Sequence, residues 1–379
     1  MIELFKTKEE CCGCTACEAI CPKDAITMNS DEEGFLYPSL NEQLCIECKL
    51  CKKVCTFQNG YTPKDILSEM EIYAAKIKDN NIRLNSRSGG VFIAFANYFI
   101  ENNGVVYGSV LDDNYVVRHQ RATDTTMLRK MQGSKYVQSN LNGIFKMIES
   151  DLKQGVNVLF TGTACQVSGL KEYIKNKSNN ELLFTIDIVC HGVPSPKIWN
   201  DYIQYIEQKY SGRISNFNFR DKAFGWESHW ETMIIKGRKI KSQVFKKLFM
   251  LHSILRPACH KCKYTNFNRC GDATIGDFWG IDKYKADFND HKGVSLLMIN
   301  TNNGKRVFNQ IESHLELERS SKEECSQPQL IKPTPKYDNR EKFWMDYHKK
   351  GLKFVINKYT KKGVKHYYKA ILRRLKINV

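Results

Sequence analysis

Eight of the chain's fifteen cysteines fall into two runs of identical spacing. Cys11, Cys14, Cys17 and Cys21 follow C-x2-C-x2-C-x3-C, closed by Pro22; Cys45, Cys48, Cys51 and Cys55 repeat it, with Thr56 in the place of the proline. Two-residue gaps let a tight loop aim three thiolates at one face of an iron-sulfur cubane while backbone N–H groups bond its sulfurs. The fourth ligand then comes from the other run. This exchange assigns Cys11, Cys14, Cys17 and Cys55 to one 4Fe-4S cluster, and Cys45, Cys48, Cys51 and Cys21 to a second. Thr56 lies outside both ligand sets, and Cys12, at an x position, ligates nothing on this reading.

A second group of cysteines lies far along the chain. Cys165 follows the apolar run VNVLFTGT at a strand-to-helix turn, where the helix N-terminus favours a thiolate, and Cys190 closes ELLFTIDIVC. Ligands of α/β sheets bind at the carboxyl ends of strands, so the two thiols converge if those strands are neighbours. The CHKC segment adds Cys259 and Cys262, with Cys270 eight positions further on. Zinc is the alternative for such a set. Beside a cluster-bearing module, a third 4Fe-4S cluster on Cys165, Cys190, Cys259 and Cys262 is preferred, with Cys270 the candidate to displace one of them. Cys325, in the polar segment SKEECSQ, reads as an ordinary thiol.

Two stretches have the composition of anion cradles. NSRSGG opens a helix, where Ser86, Ser88, Gly89 and Gly90 would offer hydroxyls and backbone N–H groups to a phosphate while Arg87 supplies charge. GSKYVQS offers Lys135, Tyr136 and Ser139 in a loop. Clusters pass single electrons, and coupling them to a two-electron substrate calls for a flavin. His191, beside Cys190, would protonate a substrate or satisfy a core hydrogen bond, and the second is favoured. No other acid or base can be assigned.

These residues need a scaffold. A chain of 379 residues, 42% apolar and 26% charged, can bury a sizeable core. Residues 1–60 form a locally acidic cysteine-rich repeat. Strand patterns then occur at 71–78, 105–111, 115–122, 156–163 and 181–190, with helices at 88–104, 125–131, about 140–153, 164–175 and 196–210. Apolar strands alternating with helices predict an α/β sheet with parallel pairs. Beyond Ser211 the pattern turns strand-rich, in FNFRD, ETMIIK, DATIGDFWG and VSLLMIN, before basic C-terminal helices. The expected fold is thus mixed α+β and α/β: an N-terminal two-cluster ferredoxin-like domain (1–60), a flavin-binding unit in two parts (61–155 and 156–335) and a basic helical tail (336–379).

The net charge is +17, and eleven Lys or Arg but no acidic residue lie between Tyr347 and Val379. Charge confined to a tail argues against nucleic-acid binding. It suits an anionic membrane surface, an acidic protein partner or a helix folded back on its own domain. No signal-peptide pattern and no run of roughly 18 apolar residues appears, so the expected location is the cytoplasm, including the inner membrane face as a peripheral protein.

In order, the cysteine repeat, SGGVF, GSKYVQS, TGTACQVSGL, DIVCHGVPSP, CHKC and DATIGDFWG resemble the family of coenzyme F420 hydrogenase/dehydrogenase beta subunits, over about residues 10 to 285. The resemblance implies an oxidoreductase whose FAD exchanges electrons with clusters on one side and a hydride carrier, F420, on the other. It implies that the SGG helix start and the SKYVQS loop line the FAD. The TGTACQ turn, with Thr161, Gly162, Thr163 and Gln166, would join cluster to flavin. Ala164 stands where relatives usually have proline, a change that touches no ligand. Similar chains occur in bacterial surface-polysaccharide gene clusters, which makes a polysaccharide-pathway substrate the other expected acceptor. The expected partners are a ferredoxin or another redox protein and a small organic acceptor. The rival reading is an electron-transfer component of a larger complex with no substrate of its own.

Overall fold

The structure, a computed structural model, describes residues 2–175, 177 and 180–360. Residues 361–379, the last 19 residues of the basic tail, lie outside the described residues.

Near the N-terminus, strands β1 (Ile26–Ser30) and β2 (Leu36–Leu40) pair antiparallel. Their turn is set by Asp31, whose Oδ1 accepts from the N–H groups of Glu33 and Phe35 at 3.1 and 2.8 Å, and by Gly34 at φ +85°. Each cysteine run forms a loop and then one helical turn, Ala16–Ala19 or Leu50–Lys53. The residue before each turn is left-handed, Thr15 at φ 67°, ψ 2° and Lys49 at φ 62°, ψ 10°. The sequence repeat is therefore also a repeat of backbone conformation.

Eight strands build the main sheet: β3 (Ile66–Ile77), β4 (Val105–Leu111), β5 (Val117–Ala122), β6 (Val158–Thr163), β7 (Leu183–Ile188), β11 (Ala273–Asp277), β12 (Ser295–Thr301) and β13 (Leu315–Ser320). The intervening β8 (Ile214–Asn218), β9 (Glu231–Ile235) and β10 (Arg238–Ser242) form a separate antiparallel sheet. The main sheet runs β13-β3-β12-β11-β7-β6-β4-β5; β11, β7, β6 and β4 are parallel, and the flanks are antiparallel. This is the mixed fold expected from the sequence.

Both faces of the centre are covered, which explains its continuous apolar runs. Leu159 and Phe184 pack with Phe95 and Phe308 of the helices Val91–Glu101 and Asn302–Ile311. Val158 and Phe160, which alternate with Leu159, face Phe145 and Leu170 of the helices Ile144–Lys153 and Ala164–Ile174. Parallel register brings the carboxyl ends of three strands to one edge, with Thr163 opposite Ile188 and Ile188 opposite Ile275. The site is built on that edge.

Some sequence-based boundaries shift. The helix expected from about Asn140 starts at Ile144, because Asn140 instead pairs its backbone with Val117 and His119. In FNFRD only Phe217 and Asn218 are strand, since β8 begins earlier, at Ile214. The first part of the basic tail is packed on the body: the helix Arg340–Val355 buries Phe343, Trp344 and Val355, and Arg340 forks onto Glu33 of the N-terminal hairpin turn.

Candidate functional site

The N-terminal cysteines gather as two quartets across the repeats. Cys21 of the first run joins Cys45, Cys48 and Cys51 of the second around one small cavity walled by Ile2, Ile26, Ile46 and Leu50. Backbone N–H groups already point at sulfur, Ala25 to Cys21 Sγ at 3.3 Å and Glu47 to Cys45 Sγ at 3.4 Å. In the other quartet, burial and the facing Cys14, Cys11 and Cys55 push the Cys17 thiol well up, and burial with Cys14 and Cys11 takes Cys55 to about 11. Buried thiols that oppose one another's ionisation need a positive core to be held as thiolates, and an iron-sulfur cubane supplies one. The inner quartet fits that group through its buried thiols, and the outer one through four sulfurs around one cavity with backbone N–H groups aimed at them.

Cys165, Cys190, Cys259 and Cys262 line a third cavity, at the carboxyl edge of the sheet. Cys165 is placed by the start of its helix, where the Thr163 N–H donates to Gln166 Oε1 at 2.9 Å and Thr163 Oγ1 lies 3.1 Å from Cys165 Sγ. The N–H of Gly192 donates to Cys190 Sγ and that of Val193 to Cys259 Sγ, at 3.3 and 3.4 Å. Burial takes the Cys190 and Cys262 thiols up to about 12 and 11, whereas contact with Cys12 chiefly lowers Cys165 to about 7. Among the described residues no three His, Cys, Asp or Glu side chains close on a single metal ion. The four thiols line one cavity, and a 4Fe-4S cluster and zinc both take thiolate ligands.

Cys270 is not part of that cavity. It is 2% exposed and packs in the core, its N–H donating to Asp187 Oδ2 at 2.9 Å. Cys325 is likewise buried, among Trp226, Phe278 and Leu330. Cys12, expected to ligate nothing, lines the central cavity and contacts both Cys14 and Cys165. It lies where the inner N-terminal quartet meets the central one. Gly169 of the Cys165 helix makes that approach possible, since a Cβ there would lie 2.8 Å from Cys14 Sγ.

A fourth cavity, of about 280 Å³, adjoins the central quartet. Thr163, Ile188, Cys190, His191, Gly192 and Val193 form the wall between the two. Of the residues expected to hold a flavin, Ser86, Arg87, Ser88 and Gly90 line one side, Lys135, Tyr136 and Ser139 another, and Thr161, Gly162, Thr163 and Gln166 the floor. Gly89 does not line it: its N–H donates to Ser295 Oγ at 2.9 Å, and a Cβ would strike the Ala75 carbonyl at 2.1 Å. Gly89 thus lets the loop lie flat on β3 and β12. Gly90, at φ +86°, turns the chain into the helix behind it.

Two cations at this cavity, Lys135 and Arg87, and a third in the adjoining cleft, Lys222, have no carboxylate hydrogen-bond partner among the described residues. Lys135 Nζ donates to the carbonyls of Lys130 and Gln132 at 2.9 Å each. Lys222 Nζ donates to those of Arg83 and Ser88 at 2.6 Å each. Arg87 donates to the Arg220 and Trp226 carbonyls, and its buried Nε has no partner among the described residues. Burial lowers both lysines to about 7. The arrangement calls for an anion, and the diphosphate of a dinucleotide fits it. These cations also edge a larger open cleft that continues past Gly133 to Arg129 and Asn216.

Sequence reasoning missed Lys222, which opens a single 3-10 turn (Lys222–Phe224) outside any motif, and His119. His119 Nε2 donates to the Thr161 carbonyl at 2.8 Å and Nδ1 accepts from Ser139 Oγ at 2.7 Å, so the ring ties the SKYVQS loop to β6; burial lowers it to about 4. His191 is held on both nitrogens, by Gln329 and His252 at 2.9 Å each, as a core hydrogen bond would have it.

Comparisons with known proteins point to one family. Residues 10–59 match the 4Fe-4S dicluster domain, and residues 155–324 match the family described as the C terminus of the coenzyme F420 hydrogenase/dehydrogenase beta subunit. The F subunit of the F(420)H(2) dehydrogenase of Methanosarcina mazei is 21% identical over 330 residues, covering 81% of this chain and 84% of that protein. An uncharacterised ferredoxin of Methanocaldococcus jannaschii is 33% identical over 54 residues, 14% of this chain and 69% of the ferredoxin. Among solved structures, a chain of the F420-reducing nickel-iron hydrogenase complex of Methanosarcina barkeri matches at 16% identity and a TM-score of 0.47, over 80% of this chain and 95% of that one. Residues 155–324 thus carry the C-terminal domain of coenzyme F420 hydrogenase/dehydrogenase beta subunits, joined to an N-terminal 4Fe-4S dicluster domain.

Proposed function

We propose that the chain carries electrons between a redox protein at its N-terminal end and an organic acceptor at an FAD held beside the central cysteines. When bound, the clusters supply one-electron transfer and FAD collects two electrons for exchange with the acceptor. The observation that carries the reading is the wall shared by the central cysteine cavity and the cationic one, running from Ile188 to Val193. Cys165, Cys190, Cys259 and Cys262 hold the third cluster on one side of it. Arg87 and Lys135 on the other side, with Lys222 in the cleft next to them, hold the flavin phosphates, and His119 fixes Ser139. The F420-type carrier and the polysaccharide-pathway substrate are the two acceptor classes, and the cleft beyond Gly133 is where either is bound.

The outer quartet faces solvent. Cys48 is exposed, and Leu44, Ile46 and Leu50 beside it are 50%, 57% and 38% exposed, an apolar edge suited to a ferredoxin-type partner. This edge also supports the reading as one component of a larger redox complex. No helix among the described residues is long and apolar enough to cross a membrane, and a peripheral contact through the tail falls on residues outside the description.

Flavin reduction tests the proposal. In the reconstituted protein a reduced ferredoxin should bleach the flavin absorbance, and in Cys165→Ala the N-terminal clusters should still be reduced while bleaching slows at least a hundredfold. Equal bleaching in the two proteins would remove the central cysteines from the path.

A further inference from the structure

Among the described residues five arginines are fully or nearly buried, and four of them face a carboxylate: Arg83 with Asp290, Arg220 with Asp277, Arg269 with Asp187 and Arg340 with Glu33. Arg256, at 0% exposure the most deeply buried, forms no ion pair among the described residues. Its Nε donates to the Cys11 carbonyl at 2.7 Å and Nη1 to Gln138 Oε1 at 2.9 Å. Nη2 donates to the Leu36 carbonyl at 3.0 Å and to Cys11 Sγ at 3.6 Å. The guanidinium lies 4.1 Å from the centre of the Tyr37 ring. An isolated buried charge costs several kcal/mol, so a side chain this well bonded implies a counter-charge.

Among the described residues, the ionisable groups that its hydrogen bonds and ring contact reach are the Cys11 thiol and the Tyr37 phenol, and of the two the thiol is the one a cluster holds as an anion. The loop closes tightly on the guanidinium: Gly13 is at φ +71°, and a Cβ there would lie 2.9 Å from Arg256 Nη1. Arg256 also precedes Cys259 by three residues, so one short segment joins the inner N-terminal quartet to the central one.

We propose that Arg256 is the built-in counter-charge of the inner N-terminal cluster, and that it raises that cluster's reduction potential while pinning its cysteine loop to the body. A cubane with four thiolates is a net anion, and its potential rises with nearby positive charge and with hydrogen bonds to its sulfurs. A cation fixed at Cys11 favours the reduced, more negative state, and so draws the electron inward from the solvent-facing quartet. The inference rests on the reading that Cys11, Cys14, Cys17 and Cys55 hold a cluster.

The test uses the full-length protein, reconstituted anaerobically, with cluster potentials read by EPR-monitored titration. The inner cluster's signal is the one lost in Cys17→Ala; if no signal and no iron are lost there, the ligand reading itself fails. In Arg256→Gln the inner potential should fall while that of the outer cluster stays put, and Arg256→Lys should recover most of the difference. An unchanged inner potential in Arg256→Gln with full iron content overturns the inference. If Arg256→Gln loses the inner iron, Arg256→Lys decides: retained iron and a near-native potential support the counter-charge, whereas equal loss in both overturns it in favour of the shape of the side chain alone.

Discussion

Lys222, which belongs to no motif, and Lys135, which belongs to GSKYVQS, share one setting. Both are cations held only by backbone carbonyls, and burial lowers both to about 7. Below about pH 7 they are charged and attract an anion; as pH rises through 7 the charges are lost, and with them the attraction. FAD affinity, measured by equilibrium dialysis, should therefore fall between pH 6 and pH 9, and the fall should be shallower in Lys222→Gln. That substitution removes one charge-assisted contact of about 1.5 to 3 kcal/mol, so at pH 6 affinity should drop at least tenfold. Flavin binding independent of pH would remove the lysines from the site. The cysteines were legible because their spacing is itself the geometric requirement. Lys222 and His119 were not, because their partners are a carbonyl of the loop before Gly89 and a serine 20 residues away.

At the level of elements, the cysteine-bearing loops are held by a buried polar knot. Asp187, near the end of β7, takes both Arg269 Nε and Nη2 at 3.1 and 2.7 Å, the Thr274 hydroxyl at 2.7 Å, and the N–H groups of Cys270 and Gly271 at 2.9 and 2.8 Å. Removing the carboxylate in Asp187→Ala leaves Arg269 unpaired and should cost about 3 to 5 kcal/mol. A clear fall in the urea midpoint checks this; a change under about 1 kcal/mol would contradict the knot's importance. Gly169 makes the second such contact. Gly169→Val should push Cys14 away from the Cys165 helix and lower the iron content of the inner quartet, while the outer quartet keeps its iron. Strands β6 and β7 were legible as apolar runs bounded by turns. The shifts at Asn140 and FNFRD were not, because the pairing of Asn140 with Val117 and His119, and of β8 with β9, is settled by partners distant in sequence.

Across the whole molecule the parts form a line. The outer quartet meets solvent beside Ile46, and the inner quartet touches the central one through Cys12 and Gly169. The central quartet shares the Ile188 to Val193 wall with the cationic cavity. Ile46→Glu should leave iron and flavin content unchanged and reduction by dithionite intact, yet slow reduction by a ferredoxin at least tenfold. An equal effect on both reductants would mean that the edge is structural. That the chain carries iron-sulfur clusters was legible in the count and grouping of its cysteines, but the adjacency of the quartets was not, since that depends on Arg256 and Gly169 bringing distant segments together. Anaerobic purification, with iron, sulfide, zinc and flavin measured on the same sample, tests the account most directly. About twelve irons, no zinc and one FAD per chain are predicted; about eight irons with one zinc, or full iron with no retained flavin, would contradict it.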